Sequence, residues 1–571
     1  MARIRPKPAD RRRRLLPAGA LAVLLLGPVP GTLADAGDLR DGPVAWYADD
    51  RGPIPVPAFT EPGLVPYSVT SFLHRPFSRF WHPGRALRRL GDDGPAGPAG
   101  DVNALDEVLD SAWFTNRIGL GPLADEELVQ GPAFGTELVG GPDRSEPWVI
   151  IGAKTAGVTP GFRIRDARGD VWRLKFDPPE HPGMTIRAGV VSNLVFHALG
   201  YNVPVDQLVV FGREDLTVGE GAEIKLPRGP ALPLTTANLD SILAATRSVF
   251  PDGYHALASR YLDGRVLGPF DDEGRRPDDP NDRVDHQDLR VLRALKVFAA
   301  WLNHFDTKRH NTLDVYEGEP GQGFVRHYLI DFASTLGAFG DEPVKRFGYE
   351  FGVDVFPILG RWLTLGLVED PWVALERPRD AQGRILDEVG LFDVETFEPE
   401  AWKPDLPHSA MANLDRRDGY WAAKLVSSFT NRQLELLVDR GGYQDPEAAA
   451  YLTATLAGRR DRIASYWFGR VAPLDFFRAE AGSVTFSDLG VERGYADPGT
   501  TTYRFRTGQA SPDRETAGWS AWTESAGTSI PCEVPDEGFI AVEVQVDRCD
   551  RRVGTVRIYL GASGRVVALE R

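Results

Sequence analysis

Residues 304–311, His-Phe-Asp-Thr-Lys-Arg-His-Asn, place a carboxylate, an ammonium and an amide at Asp306, Lys308 and Asn311, and a second carboxylate follows at Asp331 in Leu329-Ile330-Asp331-Phe332-Ala333. The set fits phosphoryl transfer, which needs a carboxylate at the attacking hydroxyl, a cation on the transferred group and ligands for magnesium. Alone, a D-x-K-x-x-N string arises by chance in a chain with 81 acidic residues, where a loop aspartate is ordinarily just solvated. What argues against chance is the order of the residues upstream.

Residues 162–165 alternate apolar and basic, residues 166–169 have turn composition, and residues 171–176 alternate again, so the spacing predicts a β-hairpin. Gly152, Gly157 and Gly161 lie just ahead of it, where a glycine-bearing loop brings backbone N–H groups close to phosphates. Their spacing is not G-x-G-x-x-G, and an ordinary turn is the plainer reading. Lys175 sits in a largely apolar strand, and only nine of the 65 basic residues are lysines. A chain that otherwise uses arginine has a reason to keep a compact ammonium there, such as a nucleotide phosphate; a snorkelling edge lysine is the bland alternative. An apolar helix is predicted over 186–199, capped by Gly200. Strands are expected at 207–211 and 257–262, separated by a polar insertion to about residue 250, with a turn at Asp263-Gly264. An amphipathic helix over 288–303, with Val291, Leu295, Phe298 and Leu302 on one stripe, runs straight into His304.

In this order the chain resembles the divergent protein-kinase-like superfamily, namely its spore-coat-H, HipA and phosphoinositide-kinase-like members, and a set of exported bacterial proteins sharing the signatures at residues 303–308 and 327–337. The resemblance covers roughly residues 148–360. It implies an α+β fold: a bilobal protein-kinase-like core with a small lobe over 148–264 and a helical large lobe over 265–470. It implies ATP or another nucleotide with Mg2+ or Mn2+, Lys175 on the α- and β-phosphates with Gly157 and Gly161 in the loop above, Asp306 as base, Lys308 on the γ-phosphate, and Asn311 and Asp331 on the metal. Three residues depart from the pattern. Helix 186–199 holds no acid to pair with Lys175, leaving Glu180 as a substitute; Ala333 replaces the glycine after Asp-Phe; and Phe305 replaces the arginine that pairs with a phosphorylated activation loop.

The wider composition, 42% apolar and 26% charged with a net charge of −16, is that of a globular protein and a poor partner for nucleic acid. Arg11 to Arg14, an apolar run over 15–27 and a small-residue site at Ala34-Asp35-Ala36 read as a signal peptide over 1–36, by a Sec or twin-arginine route. The expected location is periplasmic or extracellular, with an N-terminal anchor if the signal stays uncleaved, and no membrane span in the mature chain. Residues 37–147 are Pro/Gly-rich, with a linker over 94–100 and a predicted helix over 102–113; beyond 360 the pattern is mostly helical. Residues 471–571 read as a small C-terminal antiparallel β domain, in which Cys532 and Cys549 are expected to form one disulfide, with free thiols as the alternative.

Two functions compete. One is an exported kinase-like phosphotransferase acting on an unknown protein or small-molecule hydroxyl; the other, prompted by scarce nucleotide outside the cell, is a catalytically inactive kinase-fold binding protein of the cell envelope. A metal-dependent hydrolase using Asp306, His310, His327 and Asp331 is a third reading, without H-E-x-x-H spacing to support it.

Overall fold

The computed structural model describes residues 38–61, 63–74, 97–154, 160–226, 229–246, 249–340, 343–365, 367, 369–480, 482–525, 527–549 and 551–571. The signal segment, Gly157 and residues 94–96 of the 94–100 linker lie outside the described residues. The fold is mixed α/β, with one large mixed sheet, a helical body and a separate antiparallel sheet region.

Nine strands make the large sheet: β1 (Trp148–Lys154), β2 (Gly161–Arg165), β3 (Val171–Lys175), β4 (Asp206–Phe211), β5 (Leu216–Val218), β6 (Glu223–Lys225), β7 (Leu232–Pro233), β8 (Val249–Phe250) and β9 (Gly253–Arg260). Its centre is antiparallel, β1 to β2 to β3 to β9 to β4. Because side chains alternate along a strand, the hairpin sorts its residues by face. Phe162, Ile164, Trp172 and Leu174 are buried on one side, in a core shared with Leu239 and Leu243 of helix Thr236–Thr246, while Arg163, Arg165 and Arg173 stay exposed on the other. The insertion after β4 is more than a polar loop, since β5 and β6 run parallel to β1 and widen the sheet. Strands of three residues are too short to show alternation in the sequence. β9 also starts four residues earlier than the predicted strand.

Helix α1 (Met184–Leu199) is buried along its whole length, since it packs on the sheet on one side and on the helical body on the other. Asp177 accepts from the backbone N–H groups of Gly183, Thr185 and Ile186 at 2.7–3.0 Å and so satisfies the free donors of its first turn. Gly200, at φ 125°, ends it.

Helix α2 (Arg290–Leu302) is the centre of the body, with α3 (Arg416–Val426), α4 (Asn431–Gly441) and α5 (Pro446–Phe468) around it. Asp415, Thr430 and Asp445 accept from backbone N–H groups at the starts of these three. Strands β10 (Arg265–Gly268), β11 (Thr312–Glu317) and β12 (Phe324–Leu329) form a small sheet that carries the loop after α2. After helix Val355–Leu363 the described residues up to Asp415 are mostly turns, so the stretch beyond 360 is less helical than its composition indicates.

Two other expectations need correction. Residues 102–113 form no helix: the Asn103 side chain accepts from Leu105 N and Glu107 N, Asp106 adopts φ 62°, and Val102 pairs with Val108 in an isolated bridge. A side chain that supplies backbone donors with an acceptor favours a turn over a helix. Cys532 and Cys549 are both free, one buried in the β core and one exposed at φ 47°, so no disulfide staples this region. The C-terminal strands Thr501–Ala510, Phe539–Arg548, Arg551–Gly561 and Val566–Glu570 close around their own apolar core instead. Among the described residues no helix is long and apolar enough to cross a membrane.

Candidate active site

Lys175 ends β3, and its Nζ lies 2.9 Å from Asp331 Oδ1, the contact expected of residues sharing a cleft. Asp331 lies two residues past the end of β12 and adopts φ 64°, a left-handed conformation that is uncommon for an aspartate and that sets its direction differently from the strand before it. The replaced glycine matters little here, because the left-handed position is Asp331 and Ala333 needs no such freedom. Helix α1 holds the segment from behind. Phe196 stacks on Phe332 at 5.1 Å, Ser192 Oγ donates to Thr335 Oγ1 at 2.8 Å, and a Cβ on Gly189 would sit 3.7 Å from the Ala333 backbone.

The loop after α2 builds the second half. Asn303 ends the helix at φ 48°, and the chain then extends to a single 3-10 turn, Arg309–Asn311. Lys308 Nζ lies 2.8 Å from Asp306 Oδ1, and Asn311 Nδ2 donates to Asp306 Oδ2 at 2.9 Å and to its carbonyl at 2.7 Å. One hydrogen bond ties the halves together: Ile330 N donates to Asn311 O at 3.0 Å, fixing Asp331 relative to the loop. His304 is buried against Phe196 and Phe332, and burial lowers its pKa to about 4, so it packs as a neutral ring. Phe305 stacks on Phe347 at 3.9 Å with the ring planes 8° apart.

The two carboxyls are displaced in opposite directions. Burial raises the Asp306 pKa, Lys308 and Asn311 offset this in part, and Asp331 adds to the rise. Burial opposes ionisation of Asp331 too, but Lys175 and then Arg173 outweigh it and bring its pKa down to about 2. Asp331 is therefore a permanent anion, while Asp306 has the greater proton affinity. Oxygen donors suit magnesium or manganese, which typically takes one or two carboxylates together with substrate phosphates and water. The Asp331 side chain keeps 42% exposure and Asn311 turns its amide nitrogen toward Asp306, so this donor set fits such an ion.

Sequence reasoning missed Asp206 at the start of β4. It is buried with Oδ1 lacking a partner, and burial raises its pKa to about 7, opposed by Ser259 and Lys175. The register places it on the cleft face, opposite Ser259, which pairs with Arg173. Only strand pairing reveals this. Glu180 is exposed in a turn, whereas the one charged side chain of α1, Arg187, turns to Glu388 at 3.0 Å. Gly161 pairs with Lys175 across the ladder, and a Cβ there would meet Leu174 O at 2.7 Å. The hydrolase set does not assemble: His327 binds Asp314 at 2.7 Å, and among the described residues no group of three His, Cys, Asp or Glu could hold a metal.

No family model matches the chain, and no curated protein matches it. Among solved structures it is similar to one described as the Helicobacter pylori proinflammatory kinase CtkA, at 9% identity over 54% of this chain and 94% of that one. The TM-score is 0.28, too low for the likeness to carry an argument about fold or function.

Proposed function

We propose that the chain is an exported, atypical kinase-like phosphotransferase that uses a nucleotide and Mg2+ or Mn2+ on a hydroxyl of a protein or small molecule. One observation carries the reading: the Lys175–Asp331 pair and the Asp306–Lys308–Asn311 cluster meet through the Ile330–Asn311 hydrogen bond. These are the β3 lysine, the loop base, cation and amide, and the metal-binding aspartate of the bilobal kinase-like arrangement that the sequence resembles. Export rests on the residues at the N-terminus.

A divalent ion held here would supply positive charge to offset that of the phosphates. Asp306, with its raised pKa, takes the proton of the acceptor hydroxyl, and Lys308 stands beside it to offset charge on the transferred group. Asn311 and Asp331 are the residues that would hold the ion through oxygen. Lys175 reaches the donor phosphates once it is drawn from Asp331, to which no second described carboxylate ties it.

Calorimetric titration with magnesium ATP tests this. The parent chain binds and Asp331→Ala does not, while circular dichroism shows both folded, the variant losing only the stability that the Lys175 pair contributes. Equal affinities in the two would reduce Asp331 to a structural acid. The absence of an acid in α1 favours the second reading, an inactive binding protein, which predicts nucleotide binding without any transfer to an acceptor or to water.

A further inference from the structure

Beside the catalytic pair, the same face of the sheet carries a row of cations. Lys154 faces Gly161 and then Lys175 on one side and Lys225 on the other. One register step away, Arg163 faces Arg173. At about 5 Å per strand, the row reaches roughly 15 Å from Lys175 to Lys225. It lines a cavity of about 870 Å³, together with Tyr261 and a single acid, Glu223.

Directly opposed like charges destabilise a sheet, and here two such pairs, Lys154 with Lys225 and Arg163 with Arg173, lie side by side. None of the four makes an ion pair with a described residue, whereas arginines such as Arg168, Arg187, Arg260, Arg276 and Arg290 each find a carboxylate. Lys154 shows the strain: burial first, then Arg173 and Lys175, lower its pKa. In the V-A-I-K pattern of kinase strands the residue two before the lysine is a small alanine on the same face. Here it is Arg173. A guanidinium thus occupies a place that in the pattern stays apolar, and its one electrostatic return is the long-range pull on Asp331.

We infer that this row is a second anion subsite, which holds the phosphates of an oligophosphate ligand beyond the group engaged by Lys175. The inference rests on the proposed function only for the role of Lys175; the charge row stands without it. Guanidinium and ammonium groups at such spacing suit successive phosphates, the former in bidentate fashion.

Isothermal titration of the full chain with inorganic tripolyphosphate in EDTA reads the row without metal. The expected result is saturable binding that Lys154→Met/Arg173→Met weakens by about tenfold or more, and that Asp331→Ala leaves in place. Lys225→Glu, a change at an exposed position, is expected to weaken it as well, and circular dichroism of each variant checks the fold. Unchanged affinity in the double variant overturns the inference, as does tighter binding of polyglutamate than of tripolyphosphate. Repeating the titration in saturating magnesium ATP separates the two sources of phosphate: a donor tail is displaced, and an acceptor's phosphates bind alongside. If magnesium ATP fails to bind while the row behaves as expected, the catalytic reading falls and the anion subsite stands.

Discussion

Asp306 and Asp331 belong to one site yet have environments that push their proton affinities apart, as the proposed roles of base and metal ligand require. Carbon-13 NMR of the carboxyl groups should show Asp306 titrating above the usual aspartate value of 3.8 and Asp331 near 2. The lowered pKa of Asp331 means that its contribution to stability is present above the unfolded value and is lost as pH falls toward 2. Asp206 has the opposite sign. Its folded pKa of about 7 exceeds the unfolded 3.8, so it favours the fold at low pH and opposes it increasingly as pH rises through 7. Asp206→Asn is expected to raise the thermal midpoint more at pH 8 than at pH 4, the gain in unfolding free energy at the alkaline end being on the order of a few kcal/mol. An unchanged midpoint at pH 8 would mean that the carboxylate is solvated after all. For catalysis, Lys175→Met should remove activity by at least about a hundredfold, whereas Glu180→Gln, on an exposed turn, should leave steady-state rates near the parent's.

At the scale of elements, α1 is the brace of the site. Phe196→Ala deletes the ring stacked on Phe332 and is expected to cost about 3–5 kcal/mol in urea unfolding, with faster amide exchange in the segment after β12. The cores and caps of such elements were legible. The hairpin β2–β3 shows period-two alternation because one face is sealed and the other wet, and α1 shows its end through Gly200. Lys175, Asp306, Lys308, Asn311 and Asp331 were legible through residue type and spacing. What stayed hidden depends on pairing across the chain. Asp206 meets the cleft only through β9, the three-residue β5 and β6 are strands only because β1 offers an edge, and the cation row exists only once Lys154 lies against Lys225. The helix expected over 102–113 failed for a local reason, the Asn103 side chain in competition with helical hydrogen bonding.

At the scale of the whole molecule, a buried charge cluster joins three regions. Lys424 of α3 contacts Glu107 from the N-terminal segment and lies 3.2 Å from Asp475 of the β region, which also binds Arg571 at 3.0 Å and Tyr420 Oη at 2.8 Å. Removing one partner strands the others without water, so Lys424→Met should lower stability by about 3–5 kcal/mol and expose sites around residue 475 to limited proteolysis. Retained protease resistance would show that apolar contacts alone hold the regions together. The aromatic pair at Phe305 acts on the same scale. Where an arginine would wait for a phosphate to dock it, two rings 3.9 Å apart already hold the segment around Phe347 against the catalytic loop. Stacked rings answer neither to phosphatases nor to ionic strength, so this contact stays closed whether or not a phosphate is present.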